Sequence, residues 1–307
     1  MNRLAGIVVA VVGLLVAVLG VLKIVPGMTQ PGIVMILLGG LIIGLSFVDK
    51  PDTEGAERMP TGASLLNIFV SPSEVFQNLR RHPRWLVAVL VMSVLSATFA
   101  NLFLYRLTPE MVTNYAIDKT LEMSFLNDDA RKQIEAGRAD AIAENKNPIA
   151  KAGQAVSSFA GSVFWFAFLG GIFFLFALAM GGKMNYWQAF SVAVYASFPV
   201  AVIRFFLSSI ILFVKDPTDI HPITGQTSLV QDNLSFLVTA SEHPVLYTLL
   251  GALSLLWFYW VWLNATGIKE AGEKVTSSVG WTAALTVFGV LVLLGVVAAL
   301  LFPSFIS

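Results

Sequence analysis

The 307 residues carry 19 Lys and Arg against 19 Asp and Glu, so the formal net charge is zero; only 12% are charged and 56% are hydrophobic, with a mean hydropathy of +0.77. Soluble domains run at roughly 25% charged residues, so this composition excludes a soluble enzyme, a disordered chain and a coiled coil, and the absence of a basic run excludes nucleic-acid binding. With no Cys there is no disulfide, thiolate nucleophile or Cys-based metal site, which leaves a multipass membrane protein.

A spanning helix needs about 20 mostly apolar residues, because the hydrocarbon must be crossed with every backbone group satisfied internally. Seven stretches qualify, at residues 4–25, 32–48, 85–107, 156–180, 187–214, 244–267 and 279–303. The turn formers from Val25 through Pro26, Gly27 and Pro31 to Gly32 make the first two a tight helical hairpin. The first apolar run is long and lacks an A-x-A-like site, so an uncleaved anchor is expected rather than a secretory signal. Gly6, Ala10, Gly13, Ala17 and Gly20 fall along one side of the first helix, and Gly40 and Gly44 in the second offer a matching small-residue face for close packing.

The polar linker from Asp49, Lys50, Pro51, Asp52, Thr53 and Glu54 to Gly55 sets a boundary between a hairpin at 1–48, a linker at 49–64 and a membrane domain at 65–307. Next, Ser71, Pro72 and Glu74 have the spacing of a capping box with Pro at the first helical position. The helix they start is amphipathic, with Val75, Phe76 and Leu79 on one side and Gln77, Asn78, Arg80 and Arg81 elsewhere. It is expected to lie at the membrane interface and to lead through Pro83, Arg84 and Trp85 into the third span.

Residues 108–155 are polar. Thr108, Pro109 and Glu110 start one helix, carrying Tyr115, Ile117, Leu121, Met123, Phe125 and Leu126 among charges, and a second begins near Asn127, with Ile134 and Ile142 on a sparse apolar face. This is an extramembrane helical excursion packed against the membrane domain. Basic residues divide evenly between the two sides, so the near-membrane cluster Arg80, Arg81 and Arg84 decides orientation. The N-terminus and residues 49–84 are expected in the cytoplasm and the C-terminus outside.

Three stretches carry a family resemblance. Phe69 to Leu79 followed by Arg81, His82, Pro83, Arg84 and Trp85 is the first; Gly181 to Phe190 with Tyr195, Ala196, Ser197, Phe198 and Pro199 is the second; Leu255 to Trp257 through Gly267 to Glu270 is the third. From about residue 65 onward the chain resembles the Yip family of multipass membrane proteins, named for interaction with Ypt/Rab GTPases, and its bacterial branch in particular. The resemblance implies a five-helix membrane domain with a cytoplasmic lead-in helix and an opposite C-terminus, preceded here by an added hairpin. It supplies no catalytic residues.

Arg204 lies inside the fifth span, where a charge is costly and therefore a functional candidate. Two readings stand: snorkelling to the outer interface or a hydrogen bond to Asn101, and contact with a lipid headgroup or anionic substrate. No intramembrane Asp or Glu is seen to accompany it. Pro199 is expected to kink this span, with Tyr195 and Ser197 nearby. His221 and His243 with Asp216 and Asp219 are a weak ion-binding set, because each His precedes Pro in a turn. The aromatic run Trp257, Phe258, Tyr259, Trp260 and Trp262 suits an interface or packing cluster.

The sequence therefore predicts an all-α polytopic membrane protein of about seven transmembrane helices. It is expected to be non-enzymatic, with no cofactor, metal or catalytic site, in a bacterial cytoplasmic membrane. One role is a membrane-organising or protein-interaction component, with Ser71, Pro72, Glu74, Phe76, Arg80, Arg81 and Trp85 as the cytoplasmic surface. The other is a transporter or lipid-handling protein using Arg204, Tyr195 and Asn101 at a cavity near Pro199. The expected partners are membrane lipids and a membrane or cytoplasmic protein, and a homo-oligomer is compatible with either role.

Overall fold

The computed structural model describes residues 2–25, 27–49, 51, 55, 57–123 and 126–303. Pro26, Lys50, Asp52, Thr53, Glu54 and Phe125, used in the sequence reading, lie outside them. Five helices are long and apolar enough to cross a membrane, and the number rises to six if two helices bent 51° at a short break are counted as one span. The seventh expected span, the second in order, is a shorter apolar helix.

Helices α1 (Asn2–Val21) and α2 (Thr29–Leu45) form the hairpin. Their backbones approach so closely that a Cβ on Gly13 would lie 2.7 Å from the Ile36 amide nitrogen, and one on Gly32 2.3 Å from that of Ala17. The small-residue stripe on α1 is thus the packing face, but its partners on α2 are Gly32 and Gly39. Gly40 and Gly44 have nothing within 4 Å of a Cβ position, so the face expected there points away from α1.

Helix α3 (Thr61–Asn67) leads to α4 (Pro72–Arg81). The expected capping box does not form: Ser71 precedes α4 with no side-chain hydrogen bond to its first turn. Nor does α4 rest its apolar face in the headgroups. Val75, Phe76 and Leu79 are fully buried in the protein core. Phe76 enters because Gly267 has no side chain, where a Cβ would come 2.9 Å from the Phe76 ring. At the rim, Arg80 pairs with Glu273 at 3.1 Å and Gln77 donates to Glu270 at 2.9 Å.

Helix α5 (Leu86–Leu107) crosses and hands over to the excursion, α6 (Pro109–Leu121), α7 (Asp128–Ala136) and α8 (Arg138–Lys146). Arg138 ties it together by donating to Asp118 and Glu135, and Lys146 pairs with Glu110. The Lys146 ammonium holds the Glu110 carboxyl below its usual range. Helix α9 (Pro148–Ala179) begins eight residues before the expected position, with Asn147 accepting from the Ile149 amide at 2.9 Å. The polar start of α9 stands above the membrane body, and Gly153 there packs on Pro31 of the hairpin.

Helix α10 (Tyr186–Val214) is the central post, buried almost continuously from Trp187 to Val200. Its start carries a complete capping box: Asn185 caps the first turn while Gln188 reaches back. Helices α11 (Pro244–Ala252), α12 (Leu255–Ala271) and α13 (Ser277–Leu301) complete the body, and an antiparallel bridge joins Lys183 to Glu273 beside α4.

A candidate anion site at a broken helix

Depth in the bilayer follows from α10 and its neighbours. On the α4 side, Tyr195 lines one cavity together with Arg84 at the start of α5. On the excursion side, Arg106 at the end of α5 donates to the Lys215 carbonyl at 3.4 Å. The two levels are about 30 Å apart along α10 at ~1.5 Å per residue, the thickness of a hydrocarbon core. Arg204 falls about 14 Å from the Tyr195 level, near the midplane. At that position its side chain opens into the protein's own cavities.

The break between the two bent helices lies at the same depth. Helix α12 runs antiparallel to α10: Gly267 packs on Val192, the Trp260 indole donates to Ser197 at 2.9 Å, and Trp257 reaches Arg204. Ser254, just before α12, is therefore near the midplane. There its hydroxyl donates to Asp232 at 2.6 Å, the Leu256 amide donates to the same carboxylate oxygen at 2.7 Å, and the Leu255 amide donates to the Asp232 carbonyl at 3.3 Å.

Asp232 reaches this point because the loop after α10 folds back into the protein. Ile220 packs with Phe103, the Leu229 amide donates to Ser208 at 3.1 Å, and Asp232 follows at the α12 start. Irregular backbone at such depth is tolerated only where protein buries it or it lines a cavity. The break is thus at Leu253 and Ser254, whereas α10 continues as one helix through Pro199. Ser197 donates to the Ala193 carbonyl at 2.9 Å and accepts from Trp260, fastening α10 just before Pro199.

Arg204 stands between two adjoining cavities of about 290 and 320 Å³ that share Met92, Ser96, Ala201 and Arg204. Ser93, Ser162, Ser197, Trp257 and Trp260 line the first; Ser208, Gln226 and Thr227 line the second, toward the excursion-side loop. The guanidinium carbon is 5.6 Å from the Trp257 ring centroid. It makes no hydrogen bond or ion pair with a described residue. Asp232, from the loop after α10, is the carboxylate whose field reaches it. The Ser93 hydroxyl is buried without a partner among the described residues. A cation, the unpartnered Ser93 hydroxyl and the indole faces of Trp257 and Trp260 around one cavity suit recognition of an anionic group.

The other sequence candidates separate. Asn101 does not meet Arg204: its amide donates to the Ala97 carbonyl at 2.8 Å, and it lines a different cavity with Lys151 and Gln154. Tyr195 faces Arg58 and Arg84 instead. Of the expected interaction surface, Pro72 and Phe76 are buried and cannot be presented without unpacking α4. Arg80 is engaged by Glu273, Ser71 is half-buried, and Trp85 packs on Phe190 at 5.1 Å; Glu74 and Arg81 remain exposed. His221 accepts from the Ile223 and Thr224 amides through Nδ1 at 3.2 Å and meets the Tyr115 hydroxyl through Nε2 at 3.3 Å. No three His, Asp or Glu converge among the described residues. The aromatic run divides: Trp257 and Trp260 line the Arg204 cavity, while Tyr259 stacks on exposed Trp262.

An all-helical body with five or six candidate crossings defines a polytopic integral membrane protein. The Yip1 domain family matches residues 66–301. The chain therefore belongs to the Yip family, with α1, α2 and the linker preceding the matched region. No curated protein and no solved structure matches it.

Proposed function

We propose that this Yip-family protein is a non-enzymatic lipid-handling protein of the bacterial branch. It sits in the cytoplasmic membrane with the α4 side facing the cytoplasm and the C-terminus outside, and it holds the headgroup of an anionic lipid at Arg204. The observation that carries this reading is a guanidinium that makes no hydrogen bond or ion pair with a described residue and is open to two adjoining cavities. Burial of an unpaired charge costs roughly 2.5 to 3.5 kcal/mol on insertion scales, and a bound phosphate offsets that cost.

Purification in a mild detergent followed by native mass spectrometry tests it. The unaltered chain is expected to retain a tightly bound anionic lipid. Arg204→Leu is expected to carry one lipid fewer while keeping its thermal unfolding, and Arg204→Lys to recover part of the occupancy. Equal lipid occupancy in unaltered and Arg204→Leu chains refutes the reading.

A second reading, a membrane-organising or protein-interaction component, is favoured by the exposed Glu74, Gln77 and Arg81 on a helix anchored to the membrane body. The chain has no Cys, so Arg81→Cys gives a unique attachment point for a cross-linker. A specific adduct in intact membranes supports this reading, and the lack of any adduct counts against it.

A further inference from the structure

The α4 side carries a second cavity, of about 210 Å³, that the midplane site does not use. Arg58, Thr61, Arg84 and Tyr195 supply its polar wall, and Trp85, Leu86 and Val87 the rest of the lining with Pro83. Leu86 and Val87 are about half exposed, at 48% and 46%, on the outward face of α5. The cavity is thus cationic at its base and continuous with an apolar surface at the level where α5 enters the membrane.

Two positive charges meet here with no ion pair to a described residue. Arg84 donates to the Met59 carbonyl, to the Ser64 hydroxyl at 2.7 Å and to the Asn78 side-chain carbonyl at 2.8 Å. All three acceptors are neutral, so these bonds fix the guanidinium in place without cancelling its charge. Arg58 is close enough for its charge to be felt at Arg84 and at Tyr195, and it makes no ion pair or hydrogen bond with a described residue. Burial lowers the Arg84 pKa from its ordinary value, as expected of a cation with no anion beside it.

Tyr195 is the independent pointer to a ligand. It is 1% exposed, lines the cavity, and makes no hydrogen bond with a described residue. Buried tyrosine hydroxyls ordinarily find a partner.

We infer that Arg58, Arg84 and Tyr195 form a second anion site, which takes the phosphate of a lipid headgroup at the α4-side surface. Guanidinium groups recognise phosphate oxygens through charge-assisted hydrogen bonds, and the Tyr195 hydroxyl adds a donor from the protein interior. The apolar strip of Leu86 and Val87 gives an acyl chain a path along α5. This site stands apart from Arg204 by about 14 Å along α10, so the two are separable.

The test uses the full-length chain carrying Arg204→Leu, in an uncharged maltoside detergent, so that the midplane site does not contribute. Binding of dihexanoyl phosphatidylglycerol and of inorganic phosphate is measured by calorimetry. Arg58→Gln and Tyr195→Phe are added singly; Arg84 is left intact because it ties the linker, α3 and α4 together. Each substitution is expected to weaken the short-chain lipid about tenfold, the loss of one charge-assisted contact. Lipid binding without phosphate binding identifies a membrane source. Phosphate binding with the same dependence on both variants supports the site and makes free phosphate its ligand. If neither probe binds, or if both variants bind as the parent does, the inference is overturned, whatever the fate of the Arg204 reading.

Discussion

Asp232→Ala is expected to destabilise the protein by about 3 kcal/mol, because it strips two acceptor contacts from the start of α12 at once. The Ser254 hydroxyl and the Leu256 amide both donate to one carboxylate oxygen, and neither has water to turn to where the chain is buried. An unpaired buried donor costs about 1 to 3 kcal/mol, more than the net worth of the bond it lost. The effect should extend past stability. Ser254 caps α12 by accepting from the Trp257 amide, and without Asp232 to hold its hydroxyl that first turn is free to shift, carrying with it Trp257, over the Arg204 guanidinium. Detergent-unfolding midpoints should fall for Asp232→Ala, with bound lipid lost in parallel. Asp232→Asn keeps a carbonyl oxygen for the two donors and should recover most of the stability. If Asp232→Ala unfolds at the parent midpoint, Asp232 does not hold the break.

The residues that sequence periodicity could reach were those whose partners lie on the same helix or the next. The hairpin packing is an example. Gly6 and Gly13 stand seven residues apart, and so do their partners Gly39 and Gly32, while Gly20, seven further on, meets Thr29; Gly40 and Gly44, four apart, belong to a different face. The matching repeat was present in the sequence and outweighed by the more familiar small-xxx-small spacing. The start of α9 was hidden because Lys151, Gln154, Ser157 and Ser158 dilute its apolar signal, although Asn147 and Pro148 mark a helix start.

The site was half legible. Arg204 stands out as a charge in an apolar run, and Trp257 and Trp260 lie in a conspicuous aromatic cluster. Asp232 carries no local signal, since it sits in a polar loop and acquires meaning only when that loop folds back to meet Ser254. The amphipathic pattern of α4 correctly marks a buried face, but a pattern does not say whether lipid or protein covers it. Gly267, nearly two hundred residues away in sequence, decides that by making room for Phe76.

Gly280→Val should be the most damaging substitution in the membrane body, and Gly289→Val on the same helix nearly silent. A Cβ on Gly280 would stand 2.3 Å from the Ala265 carbonyl oxygen, a backbone atom of α12 that cannot rotate away. The only relief is to push α12 and α13 apart along their contact. Overpacking of a close-packed core costs about 1 to 3 kcal/mol when side chains can yield, so a backbone clash belongs at or above the top of that range. At Gly289 nothing lies within 4 Å of the Cβ position, and a valine there meets open surface, with an expected change within about 0.5 kcal/mol. Detergent-unfolding midpoints of the two variants should therefore diverge, and a similar loss in both would show that helix propensity rather than the α12 contact is being measured. The clash also bears on the site. Helix α12 is fastened to α10 by Trp260 on Ser197 and to α4 by Phe76 seated against Gly267, so forcing it away from α13 drives it against those contacts. Any Gly280→Val protein that still folds is expected to have the Arg204 cavity narrowed between Trp257 and Ala201, and to bind less lipid than Gly289→Val.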